Sequence, residues 1–166
     1  LPNFRRLLQE GAHGILKSTI PSTTLPAWTS FATGKGPGKH GCYDFRLPSD
    51  SLGHSRLITS RDVPGKTFYE LLTEAGKRVT LINLPVSYPP RIAGTVITSL
   101  MTQGSQCVFP PALIDEVPGL ASYRIIAESR TPDAIRTVEK ERFEIAQPLS
   151  ERYWDFFFLL FRGSDH

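Results

Sequence analysis

Apolar positions along this chain alternate between a helical spacing and short continuous runs. Residues 2–10 place Phe4, Leu7 and Leu8 on one helical face, and Gly11 is a suitable stop. Residues 14–20 read as a short strand. An apolar, helix-capable run then follows Thr23 and Thr24: Leu25-Pro26-Ala27-Trp28-Thr29-Ser30-Phe31-Ala32. Pro26 suits a first helical turn, where a missing N–H costs nothing. A glycine-rich loop between Gly34 and Gly41 ends this helix and carries Lys35, Lys39 and His40. Residues 45–64 have weak periodicity and predict an irregular excursion with a short hairpin.

Next comes a helix-to-strand unit. Residues 66–75 carry Phe68, Leu71 and Leu72 on one face and stop at Gly76. Residues 79–84 form a continuous apolar strand, as expected of a parallel sheet covered on both faces. Residues 85–93 are proline-rich and irregular. Residues 95–100 predict a strand, 110–117 a short helix and 123–127 a short extended piece. Thr131 is the candidate cap of a long helix running through Ile135, Val138, Arg142 and Ile145, which Pro148 should kink or end. A strand over 154–161 closes the unit. Helices alternating with apolar strands predict one domain, a three-layer α/β/α sandwich around a mostly parallel sheet.

Composition narrows the function classes. Hydrophobic residues make up 40% and charged residues 21%, as in a soluble globular chain with a real core. The net charge of +3 is scattered, so no nucleic-acid polymer is expected as a partner. No apolar run approaches the roughly 20 residues that span a bilayer. Cys42 and Cys107 fit neither a metal-binding spacing nor a disulfide framework. Two free thiols favour a reducing, cytoplasmic compartment.

Two places carry candidate chemistry. Thr24 lies where the free N–H groups and dipole of the following helix favour an anion. A hydroxyl there can meet a phosphate, and the same field stabilises its alkoxide; read on the local Thr-x-Pro pattern alone, Thr24 is a helix cap. Asp165 follows Arg162-Gly163-Ser164 at the carboxyl end of a predicted buried strand, where open α/β sheets bind ligands. It suits a divalent cation or, on local grammar, a cap for the next helix. Lys35 and Lys39 could attract an anionic substrate, and His40 suits a structural hydrogen-bonding role. The segment from Gly34 to Lys39 lacks the Gly-Lys-Ser/Thr ending of a P-loop and follows a helix, so it is set aside.

The segment from Ile20 to Asp44 resembles the nucleophile segment of the type I phosphodiesterase/nucleotide pyrophosphatase family, within the alkaline phosphatase superfamily. Pro21, Thr24, Pro26, Trp28, Thr33, Gly34, Pro37, His40, Gly41 and Asp44 fall in register with that pattern. Asn83-Leu84-Pro85-Val86-Ser87-Tyr88-Pro89-Pro90 resembles the family's strand-loop segment, and residues 156–165 its second metal segment. Cys42 lacks the Pro-x-Arg context of the sulfatase nucleophile, against that branch.

The resemblance implies a hydrolase of phosphodiester or pyrophosphate bonds, acting on a small phosphorylated substrate. It implies two divalent metal ions, zinc in kind, with Thr24 as nucleophile and ligand of one metal and Asp165 as ligand of the other. His40 and Asp44 then support the site. The family carries an Asn immediately after Asp44, where its amide stabilises the phosphoryl oxygen; here Phe45 stands in that place. A backbone N–H or a nearby Lys must replace that donor, or the substrate preference has changed. The alternatives are a phosphomonoesterase or phosphoglycerate mutase-like enzyme of the same superfamily, and a non-catalytic domain that keeps the fold. The chain opens inside a helical pattern without a starting Met and stops just after a strand and turn. Both ends are therefore expected to be cuts, with the first strand and the remaining metal ligands missing, and the chain alone is expected to be inactive.

Overall fold

A computed structural model describes residues 2–48 and 53–163. The first helix, α1 (Pro2–Glu10), buries none of its residues. The strand expected over 14–20 does not form: these residues have no regular structure, and Ile15, Leu16 and Ile20 are exposed. A strand needs a ladder partner, and among the described residues none lies beside this segment.

Helix α2 (Thr24–Thr33) ends at Gly34, whose left-handed backbone returns its N–H to the Ser30 carbonyl. A single turn, α3 (Pro37–His40), follows. The expected excursion contains the hairpin: β1 (Arg46–Pro48) pairs antiparallel with β2 (Ser55–Leu57). Helix α4 (Phe68–Glu74) starts from a capping box in which Thr67 accepts from the Glu70 N–H and the Glu70 carboxylate accepts from the Thr67 N–H. Strand β3 (Val79–Ile82) is buried throughout. Strands β4 (Thr95–Ile97) and β5 (Val108–Phe109) and the short helix α5 (Leu113–Glu116) come next. The piece expected to be extended over 123–127 forms no strand; it is irregular, with a bend at Ile125 and Ile126. Thr131 caps α6 (Pro132–Ser150), as its spacing predicts, and Pro148 sits in the last turn. Strand β6 (Phe156–Leu159) is last; the Asp155 carboxylate fixes its start by accepting from the Arg78 N–H at 2.8 Å.

The sheet order is β5-β4-β3-β6. Strand β3 runs parallel to both neighbours, with Thr80 opposite Thr95 and Phe157, and β5 is antiparallel. Alternate residues of β3 serve opposite faces. Ile82 joins Ile97, Leu113, Ile145 and Leu149 under α5 and α6. Val79 and Leu81 join Val96, Ala32 and Tyr69 under α2 and α4. The result is the three-layer α/β/α arrangement. Each fully buried Leu or Ile in these layers contributes about 1.5–3 kcal/mol of apolar burial. A third cluster, Leu25, Cys42, Ile58, Val63, Val86 and Met101, seats the start of α2 against the excursion and the loops after β3 and β4.

Candidate active site

Thr24 is the first helical residue of α2, one position inside the cap. Thr23 holds the cap position in an extended conformation, and its side chain makes no capping hydrogen bond. The Thr24 hydroxyl is exposed and has no protein partner among the described residues. Pro26 has no N–H, and the Ala27 N–H is taken by the Thr23 carbonyl at 3.2 Å. The N–H groups of Thr24 and Leu25 therefore have no intrahelical acceptor. This helix start presents a free hydroxyl, two free donors and the positive end of the helix dipole, all favourable to an anion.

Buried packing holds that start in place. Leu25 is fully buried, and half-buried Phe45 and Leu100 pack on the same cluster. Val86 and Met101 reach this cluster from the loops beyond β3 and β4, the edge where open α/β sheets bind ligands. Asn83, Val86 and Met101 all adopt positive φ (64°, 62° and 72°), a left-handed state that asparagine tolerates but that is costly for Met101 and most of all for β-branched Val86. Such strain gathers where a surrounding structure fixes a functional loop. Asn83 also donates from Nδ2 to the Leu160 carbonyl at 2.9 Å, tying the end of β3 to that of β6. The sequence gives no sign of this backbone state at the three positions, because no glycine marks the positive φ.

His40 is buried and braces α2 from the following loop. Its Nδ1 accepts from the Cys42 N–H at 3.0 Å, so the proton sits on Nε2, which faces the Ser30 hydroxyl at 3.0 Å. Burial pushes the imidazole below its usual pKa, against a smaller opposing pull from the Pro26 carbonyl. Both ring nitrogens are engaged in structural bonds, which suits the supporting role expected for this residue.

The remaining candidates separate. Lys35 follows the far end of α2, and ten helical residues put about 14 Å of rise between that end and Thr24. Its ammonium lies instead beside Gly65, where an added Cβ would fall 2.8 Å from Nζ. The structure does not bring Lys35 to Thr24. Asp44 is exposed, and its Oδ1 accepts the Phe45 N–H at 2.5 Å. That bond occupies one of the donors that could have replaced the missing amide. With Lys35 distant, the free N–H groups of Thr24 and Leu25 are the donors left beside the hydroxyl. Asp165 lies outside the described residues. Three residues ahead of it, the Arg162 N–H is held by the Glu139 carboxylate of α6 at 2.9 Å.

No group of three or more His, Cys, Asp or Glu side chains able to hold a metal ion occurs among the described residues. Thr24 alone offers one oxygen, fewer than a divalent-ion site takes. No helix among them is long and apolar enough to cross a membrane.

No curated protein matches the chain. The crystal structure of phosphonoacetate hydrolase from Sinorhizobium meliloti 1021, in complex with phosphonoacetate, superposes with a TM-score of 0.69 at 20% sequence identity. The match covers 96% of this chain and 40% of that one, so this chain spans less than half the length of its structural neighbour. At that identity the likeness establishes a shared fold. The family model described as type I phosphodiesterase / nucleotide pyrophosphatase matches residues 1–166. The chain belongs to the type I phosphodiesterase/nucleotide pyrophosphatase family.

Proposed function

We propose that the protein carrying this chain hydrolyses phosphodiester or pyrophosphate bonds, with Thr24 as the nucleophile. The observation that carries this reading is an exposed, uncapped hydroxyl at the open start of a helix whose neighbouring residue is fully buried. The family membership and the phosphonoacetate hydrolase fold support it.

In this mechanism the Thr24 oxygen attacks phosphorus in line with the leaving oxygen, its proton passing through solvent at the exposed helix start to the departing oxygen. The Oγ–P bond forms as the bond to the leaving group breaks, giving a phosphodiester that joins Thr24 to the part of the substrate left on phosphorus. Water then cleaves that ester and restores the hydroxyl. The helix dipole and the N–H groups of Thr24 and Leu25 stabilise the attacking oxygen and the charge on the phosphoryl oxygens. His40 keeps the loop braced on α2 and takes no proton. Two divalent cations, zinc by family resemblance, would supply Lewis-acid chemistry. Thr24 and Asp165 are their proposed ligands here; the described residues do not complete a site, so no step is assigned to the ions.

Phe45 favours a substrate other than the family's nucleotide diesters, since an apolar ring stands where an amide donor is expected. The reading is tested with the full-length protein and an aryl phosphodiester. Thr24→Ala should lower kcat by at least about 10³-fold without moving the melting temperature, because the side chain is exposed. Near-wild-type turnover in the variant would sink the proposal.

A further inference from the structure

Helix α6 carries an arginine within its apolar stripe. Arg142 is only 1% exposed, between buried Val138 and Ile145. Its Nη2 donates to the Ile125 carbonyl at 3.0 Å. Its Nη1 lies 2.8 Å from Glu139 Oε1, but off the axis of a hydrogen bond. That same oxygen accepts the Arg162 N–H. The Nε and Nη1 of Arg142 make no aligned hydrogen bond, although the Tyr123 hydroxyl lies close to the guanidinium, and Glu139 Oε2 has no donor.

These groups border a cavity of about 190 Å³, which Arg130, Arg162 and Ser129 also line. Among the described residues no carboxylate pairs with Arg130 or Arg162. Three guanidinium groups thus face one carboxylate. A buried guanidinium with unmet donors is costly to keep. Water could satisfy Arg142 Nε and Glu139 Oε2, but brings no negative charge to half-buried Arg162 or to Arg130, which is exposed at the cavity mouth. A liquid water occupies about 30 Å³, so the cavity has room for a phosphate- or sulfate-sized group. Ile135 and Val138 supply apolar walls, which lower the local dielectric and strengthen a charge-assisted contact.

We propose that this cavity binds a small oxyanion between Arg142, Arg130 and Arg162. The inference is independent of the role given to Thr24, since none of the lining residues belongs to α2 or to the loops that seat it. Occupancy would fix the first turns of α6 against the exit of β6, where Glu139 already holds the Arg162 N–H.

The test uses the full-length protein and two probes. Crystals soaked in selenate should show an anomalous peak against Arg142. Calorimetric titration with phosphate should show a site that survives a metal chelator, which removes any phosphate held by catalytic metals. Arg130→Ala should weaken that site about three- to fivefold. Glu139→Gln keeps an acceptor for the Arg162 N–H while removing the negative charge, and should tighten it by a similar factor. Arg142→Met should abolish it; should that variant fail to fold, the opposite signs of the other two decide. Absence of the peak, a carboxylate side chain of the same protein filling the cavity, or a phosphate affinity that neither Arg130→Ala nor Glu139→Gln moves would each overturn the proposal.

Discussion

Replacing His40 by alanine removes the brace between α2 and the loop that leads to Phe45. The buried Cys42 N–H loses its acceptor, a cost of about 1–3 kcal/mol for an orphaned donor. The half-buried Ser30 hydroxyl can turn to water and loses little. Deleting a fully buried ring adds about 1–2 kcal/mol of cavity and lost packing. The sum, about 2–5 kcal/mol, corresponds to a fall in melting temperature of about 4–20 °C for a chain of this size. His40→Asn puts an acceptor near the place of Nδ1 and should recover more than His40→Gln, whose amide reaches the place of Nε2.

The pH dependence follows from the lowered pKa. Below about pH 6.5 the unfolded chain takes up a proton on this residue while the folded chain resists it. His40 therefore contributes stability above its unfolded pKa, and that contribution is lost as pH falls toward its folded one. The slope is at most about 1.4 kcal/mol per pH unit. Thermal melts of wild type and His40→Asn between pH 7.5 and 5 should converge as pH falls. The pH profile of kcat should be the same in both, because neither ring nitrogen is free to act as a base. A melting temperature of His40→Ala within 2 °C of wild type, or melts that diverge in acid, would refute the reasoning.

Other outcomes follow from the same geometry. Phe45→Asn restores an amide donor and should raise turnover of nucleotide diesters relative to other diesters, by up to about 10²-fold. An unchanged ratio would show that Phe45 does not meet the substrate. Val86 and Val96 are both buried, but only Val86 has positive φ. Val86→Gly should therefore cost about 1–2 kcal/mol less stability than Val96→Gly in denaturant titrations, because glycine relieves the left-handed strain. Equal losses would show that the loop carries none. Calorimetric titration of residues 1–166 alone with zinc should show no tight stoichiometric site, since no group of three ligands occurs among the described residues. Tight binding accompanied by turnover would contradict this.

Much of the layer structure was legible because periodicity and capping agree. Thr131-Pro132-Asp133 and the stripe through Val138 and Ile145 mark α6, and the apolar run of β3 marks a strand covered on both faces. The hairpin within 45–64 was also legible. Residues 14–20 were not: their apolar spacing suits a strand, but a ladder partner is a tertiary fact that local pattern does not contain. Thr24 and Phe45 are singled out by motif spacing, and Phe45 packs on the cluster around Leu25, the residue after Thr24. Lys35 could not, because proximity along a loop says nothing about the far end of a ten-residue helix. Arg142 left a trace that charge counting overlooks. It falls at a stripe position of α6, where a guanidinium must be buried and needs partners.

The central claim is that Thr24 becomes phosphorylated during turnover. Full-length protein would be mixed with an aryl phosphodiester, quenched in acid within the first turnover and digested for mass spectrometry. The account predicts a phosphodiester on Thr24 that retains the substrate's second alcohol, absent from Thr24→Ala and lost on a longer incubation as the intermediate hydrolyses to the monoester. Pre-steady-state release of the aryl alcohol with no label on Thr24, or label on another residue, would contradict it.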